Sequence, residues 1–219
     1  MRSRVVSRIT GRFLQVFAVI ASVPLLFSVY YSESLEVVLG FSSAAFVSLF
    51  MGYSLYFLGK DGKPSTMEAL TSTVAGWMIA IIIGAVPLLS YMTPVNAVFE
   101  ASAGLTTTGI SMLLQPEILP NSLLFWRSFM QWIGGLGILT FFVAVIRESG
   151  GVSRRLFSAE AHKTDPGSIR PSLRKSIVDL WRVYGFLTSI IITTYIALGM
   201  PVFDSIAHAF STISTGGFS

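Results

Sequence analysis

The chain is a succession of long apolar runs separated by short polar breaks. Uncharged runs cover 13–32, 37–59, 69–92, 128–146 and 183–200. A bilayer core of about 30 Å takes ~20 helical residues, so each run predicts a membrane-spanning helix, the last being short but adequate. Helical periodicity adds little, because membrane helices are apolar nearly all round. Proline and glycine supply the punctuation instead. Lys60-Asp61-Gly62-Lys63-Pro64-Ser65 reads as a turn, Asn121 or Ser122 after Pro120 as an N-cap, Ser149-Gly150-Gly151 as the end of the fourth run, and Asp165-Pro166-Gly167 as a break in a mixed-charge connector. The first run follows Arg2, Arg4, Arg8 and Arg12, so a signal peptide is the alternative to an anchor. The anchor is favoured, because an apolar signal region runs to only ~7–15 residues and ends at a small-x-small site, whereas this run ends in Val29-Tyr30-Tyr31.

Two segments interrupt this pattern in the same way. Residues 96–111 read NAVFEASAGLTTTGIS and residues 204–219 read DSIAHAFSTISTGGFS. Each is a short half-polar helix, expected over about 95–103 and 203–212, running into Thr, Ser and Gly after an apolar run that ends near proline. Ala101/Ala209, Thr107/Thr215, Gly109/Gly217 and Ser111/Ser219 are identical across the pair. Irregular backbone at membrane depth is tolerated only where protein or a water-filled path surrounds it. The repeated unit is therefore a membrane helix followed by a re-entrant half-helix and loop.

Charge orients this pattern. Thirteen of the fifteen Lys and Arg lie in the N-terminus, the turn at 60–63 and the stretch 147–175. Five alternating spans put all three on one side, and the positive-inside bias makes that side the cytoplasm. The opposite side receives Glu33, Glu36, Glu117 and both repeated loops. The net charge of +4 is thus explained by topology and does not call for nucleic acid. Of the two remaining basic residues, Arg182 forms a helical pair with Asp179, three residues before it.

The composition, 53% hydrophobic and 12% charged, is that of an integral membrane protein. Absence of cysteine removes disulfides, thiol catalysis and cysteine-ligated metals. Two histidines without an HExxH pattern leave no basis for an intramembrane enzyme or a transition-metal site. His208 reads as a polar half-helix residue and His162 as solvated connector. The loops offer different chemistry. A monovalent cation must exchange its water for other oxygens, and carbonyls directed at an axis provide them without fixed charge. Thr106, Thr107, Thr108 and Gly109, with Ser214, Thr215, Gly216 and Gly217, are the candidate ion ligands. The half-helix before each loop adds the negative end of its dipole. Glu100 is expected to pair with Arg127 and brace the first loop, the alternative being two solvated interfacial side chains. Gly134-Gly135-Leu136-Gly137 reads as close helix packing, and Trp126 and Trp132 as interfacial or packing aromatics.

Phe125-Trp126-Arg127-Ser128, the run Gln131-Trp132-Ile133-Gly134-Gly135-Leu136-Gly137-Ile138, and the loops TTTGIS and STGGFS resemble the Trk/Ktr/HKT superfamily of potassium transporters on its TrkH side. The resemblance implies an all-α integral membrane fold of potassium-channel-like architecture, with four helix–loop–helix repeats forming a pseudo-tetrameric selectivity filter. This chain would supply a two-helix hairpin (1–66), a first repeat (67–150), a cytoplasmic connector (151–175) and a second repeat broken off at its filter (176–219). The expected architecture is five transmembrane helices plus two re-entrant half-helices. By resemblance Gly109 and Gly217 are filter glycines, and Gly109 rather than serine favours potassium over sodium. It further implies potassium transport without a cofactor, a plasma-membrane location, a homodimer, and a cytosolic nucleotide-binding regulatory subunit of the RCK type, for which 147–175 is the candidate contact. Half of a four-repeat pore is not expected to conduct alone. A non-conducting subunit or assembly partner is the alternative.

Overall fold

The computed structural model describes residues 2–62, 64–160 and 173–218, with side chains over 2–62, 64–140 and 175–218. The described residues form seven α-helices: α1 (Ser3–Tyr30), α2 (Leu35–Leu58), α3 (Thr66–Ala85), α4 (Pro94–Leu105), α5 (Asn121–Glu160), α6 (Leu173–Ala197) and α7 (Val202–Ile213). Among these residues four helical segments are long and apolar enough to cross a membrane, namely Ser3–Tyr30, Leu35–Leu58, Thr66–Ser90 and Lys175–Ala197. The expected span at 128–146 lies inside α5, part of it beyond the described side chains.

α1 and α6 start furthest ahead of the apolar runs they contain. α1 takes in Arg4, Arg8 and Arg12, and Arg8 and Arg12 both lie over the Tyr56 ring. Arg8 pairs with Asp61 at 2.6 Å and lies over the Tyr56 ring at 4.0 Å. α6 begins at Leu173 and carries the exposed Asp179–Arg182 pair at 3.4 Å. α5 runs straight through Ser149-Gly150-Gly151 to Glu160, against the expected stop. Each glycine in a helix interior costs only about 1 kcal/mol relative to alanine, too little to end it. The expected break at Asp165-Pro166-Gly167, with His162 and Ser219, lies outside the described residues.

The helix ends follow local chemistry. Ser65 and Glu68 close a capping box on α3, and Arg2 clasps the same carboxylate at 2.7–3.1 Å. Pro87 tightens the end of α3 into a 3-10 turn over Val86–Ser90. Thr93 then caps α4 with Pro94 in its first turn. α5 is capped from a distance: the Ser122 amide donates to Glu33 at 2.9 Å and its hydroxyl donates to the same carboxylate. A carboxylate at that end of the helix meets free amides and the positive end of the dipole.

The core joins the N-terminal hairpin to the first repeat. α1 and α2 cross closely at Gly11 and Gly52, where a Cβ would fall within 2.6 to 2.9 Å of the other helix's backbone. Leu14, Phe17, Phe41, Leu88 and Met130 belong to one buried cluster with Trp126, which is fully buried, sets its ring edge-on to Phe17 and Phe41, and donates from Nε1 to the Gly84 carbonyl at 2.9 Å. Trp132 ties α5 to α6 and α7, donating to Thr188 at 3.1 Å and lying 5.2 Å from the Phe210 ring. Both tryptophans are packing residues.

Candidate functional site

α4 and α7 end in the same way. The Thr106, Thr107 and Thr108 amides donate to the Ser102, Gly104 and Ala103 carbonyls, and the Ser214, Thr215 and Gly216 amides donate to Phe210, Thr212 and Ser211. The second and third bonds of each set form a Schellman C-cap, whose left-handed residue is ordinarily glycine. Here it is threonine in both copies, with φ 54° at Thr107 and at Thr215. A β-branched residue in that region is a conformational outlier. Two residues on, φ is 75° at Gly109 and 76° at Gly217. Left-handed residues at alternate positions turn successive carbonyls toward one side, which an extended strand does not do. The Thr108 and Gly216 amides bond back into their helices, so the Thr107 and Thr215 carbonyls, antiparallel to them in trans peptides, point away.

The two loops touch. An ideal Cβ on Gly109 would sit 1.9 Å from the Gly216 carbonyl oxygen and 3.3 Å from the Gly217 Cα. Position 109 thus requires glycine for its dihedral angle and for the approach of the second loop. Around Gly217 nothing among the described residues lies within 4 Å of a Cβ. All eight sequence-predicted loop residues lie in this one region.

The structure also brings Glu100 and Arg127 together. Glu100 is 0% and Arg127 3% exposed, so they are not a solvated pair. Arg127 Nε donates to Glu100 Oε1 at 2.8 Å and its Nη2 lies 2.7 Å from the same oxygen. The Ser111 hydroxyl donates to Oε1 and the Met112 amide to Oε2, both at 2.9 Å. Arg127 further donates to the Ser111 hydroxyl at 3.1 Å. A buried ion pair is tolerable when its remaining hydrogen-bonding capacity is filled, and here the chain emerging from the first loop fills it. The second loop has no such carboxylate, since His208 stands at the position of Glu100. His208 lines a cavity of about 330 Å³ with Glu117, Arg127, Asp204 and Ser211. Among the described residues no group of three or more His, Asp or Glu is placed to hold a metal ion.

α5 supports both loops. A Cβ on Gly134 would fall 2.2 Å from the Leu105 carbonyl of α4, one on Gly135 3.1 Å from the Cβ of Ser214 at the C-cap of α7, and one on Gly137 2.7 Å from the Trp77 ring. The glycine cluster is therefore close packing against three different elements. Sequence reasoning missed Gln131. It is fully buried, its Oε1 accepts from the Phe218 amide at 3.3 Å, and its amide carbon would lie 2.3 Å from a Cβ at Gly216. Its position four residues after Arg127 was the available signal, because the two share one face of α5. Arg127 also reaches the second loop, with its guanidinium 4.4 Å from the Phe218 ring centre.

A family profile described as TrkH, cation transport protein, matches residues 40–219. An uncharacterized cation transporter of Methanocaldococcus jannaschii is 33% identical over 96% of this chain and 44% of its own length. The Trk system potassium uptake protein TrkH of Salmonella typhimurium is 32% identical over 100% of this chain and 46% of its own length. The crystal structure of the potassium transporter TrkH from Vibrio parahaemolyticus superposes with a TM-score of 0.83 at 29% identity, over 100% of this chain and 44% of that one. The chain spans less than half the length of the relatives it matches. It is a multi-pass membrane protein and belongs to the TrkH family of cation transport proteins, a family of transporters and not of enzymes.

Proposed function

We propose that this chain forms half of a potassium-selective pathway in which backbone carbonyls of the two loops replace the water of the ion. The observation that carries this reading is the matched backbone: φ near 54° and 75° at alternate residues in both loops, with threonine where a helix cap ordinarily has glycine. Such strain costs of order 1–3 kcal/mol per residue and persists where function requires it. The ligands in this reading are Thr106, Thr107, Thr108 and Gly109 with Ser214, Thr215, Gly216 and Gly217. Glu100 and Arg127 brace the first loop from behind. Potassium is favoured because the family resemblance associates glycine rather than serine at position 109 with potassium, and because relatives are named as potassium uptake proteins. No cofactor or transition metal takes part.

In the same reading α1, α2, α3, α5 and α6 span the plasma membrane with the N-terminus cytoplasmic. α4 and α7 are re-entrant half-helices opening on the outer side. Two loops do not surround an ion, so the remaining filter strands come from elsewhere in the complete transporter. A homodimer and an RCK-type nucleotide-binding subunit, docking on the basic stretch 147–175, complete the proposed assembly.

The test is rubidium uptake by cells lacking their own potassium uptake, comparing the complete natural protein that carries this sequence with the 219-residue chain alone. The complete protein is expected to take up rubidium in preference to sodium, and the short chain to take up neither. A complete protein that reaches the membrane and moves neither ion contradicts the proposal.

A further inference from the structure

Gln131 belongs to the first repeat by sequence and serves the second loop by contact. It is 0% exposed, and its Nε2 has no partner among the described residues. A buried amide donor left unpaired costs about 1–3 kcal/mol, and a leucine or methionine would fill this place on α5 at lower cost. The side chain also fixes its neighbour. Position 216 accepts only glycine because the Gln131 amide occupies the space of its Cβ, whereas the first loop carries Thr108 at the aligned position.

The stereochemistry gives this contact a consequence. The Phe218 N–H and the Gly217 carbonyl belong to one trans peptide and point in opposite directions. Gln131 holds the N–H toward α5 at 3.3 Å, and so turns the Gly217 carbonyl away from α5. A Cβ at Gly217 would meet nothing within 4 Å among the described residues. The peptide is held from the α5 side by the Gln131 oxygen and by the Arg127 guanidinium against the Phe218 ring. Selectivity between potassium and sodium depends on the number and field of the carbonyls offered to the ion. A carbonyl released from its constraint swings inward and accommodates the smaller ion.

We infer that Gln131 is a specificity-determining positioning residue: it orients the Gly217 carbonyl across the repeat boundary and so sets the ion preference of the pathway without touching the ion. This rests on the reading of the loops as an ion path.

The test uses the complete protein with Gln131→Met, of similar length and flexibility but without the acceptor, and Gln131→Glu, which keeps an acceptor oxygen in either protonation state. Membrane level, total cation uptake and the rubidium-to-sodium preference are measured for each. The expected result is normal membrane level in both and a preference lowered about tenfold in Gln131→Met, equivalent to about 1.4 kcal/mol. Gln131→Glu is expected to keep its preference within roughly threefold, below about 0.7 kcal/mol on the same scale. An unchanged preference in Gln131→Met beside a selective unaltered protein overturns this inference alone, as does an equal loss in Gln131→Glu. A Gln131→Met protein absent from the membrane also overturns it, because the residue would then serve assembly of the bundle. An unaltered protein that moves neither ion overturns the reading of the loops as well.

Discussion

The two loops share a backbone and almost nothing else. Their positive φ angles agree within 1°, and their three helix-closing hydrogen bonds join the same aligned positions. Behind the first loop stands a closed ionic network of Glu100, Arg127, Ser111 and Met112. Behind the second stand a neutral amide, Gln131, and an aromatic ring on Arg127. The first loop leaves Thr106 and Thr108 exposed, whereas the aligned Ser214 and Gly216 are buried against α5. The backbone conformation is thus the common property of the repeat, and its support is improvised locally. In the proposed reading the ion path requires a direction of the carbonyls, and either chemistry can hold it.

The largest expected break in this comparison is at Glu100. Glu100→Ala leaves Arg127 buried without its partner, at a cost of about 3–5 kcal/mol. The same change at the aligned His208, which is half-buried beside a cavity, is expected to cost less than about 1 kcal/mol. Thermal unfolding of both proteins in detergent measures the difference. Equal losses would show that the two half-helices are supported alike.

A smaller contrast separates the two loop glycines. Gly109→Ala incurs strain at φ 75° and a collision with the Gly216 oxygen, whereas Gly217→Ala incurs strain alone. Adding about 1–3 kcal/mol of overpacking to the shared strain, Gly109→Ala is expected to lower rubidium uptake roughly tenfold further than Gly217→Ala, at about 1.4 kcal/mol per decade. Parity would mean that the loops are not in contact in the membrane. The smallest contrast is on α5. Gly134→Ala meets the backbone of Leu105 at 2.2 Å, and Gly135→Ala meets the Ser214 Cβ at 3.1 Å and the Tyr184 hydroxyl at 2.9 Å. The first is expected to lower stability by about 1–3 kcal/mol and the second by about 1 kcal/mol or less, again by thermal unfolding.

Much of this was legible in the sequence. The helices and half-helices follow from apolar length and from Pro94 and Pro201, and the paired loops from the repeat itself. The Glu100–Arg127 pair was legible because two charges in apolar surroundings must find each other. Gln131 and Glu33 were not. Each reaches a partner 87 and 89 residues away respectively, through helix packing that no local pattern encodes. Glu33 read only as one of the outer negative charges. Gly216 read only as a candidate ion ligand, and the side chain of Gln131 behind it is a reason for glycine there that the loop sequence does not carry. The extension of α5 through Gly150 and Gly151 was missed because two glycines read as a stop, although their intrinsic cost is small.

The most direct measurement of the central claim is anomalous scattering from thallium or rubidium bound to the complete protein. Ion density is predicted beside the carbonyls of Thr107, Gly109, Thr215 and Gly217, with the remaining ligands supplied by the rest of the transporter. Density confined to the cavity lined by Glu117, Asp204 and His208, with none along the loops, would contradict it.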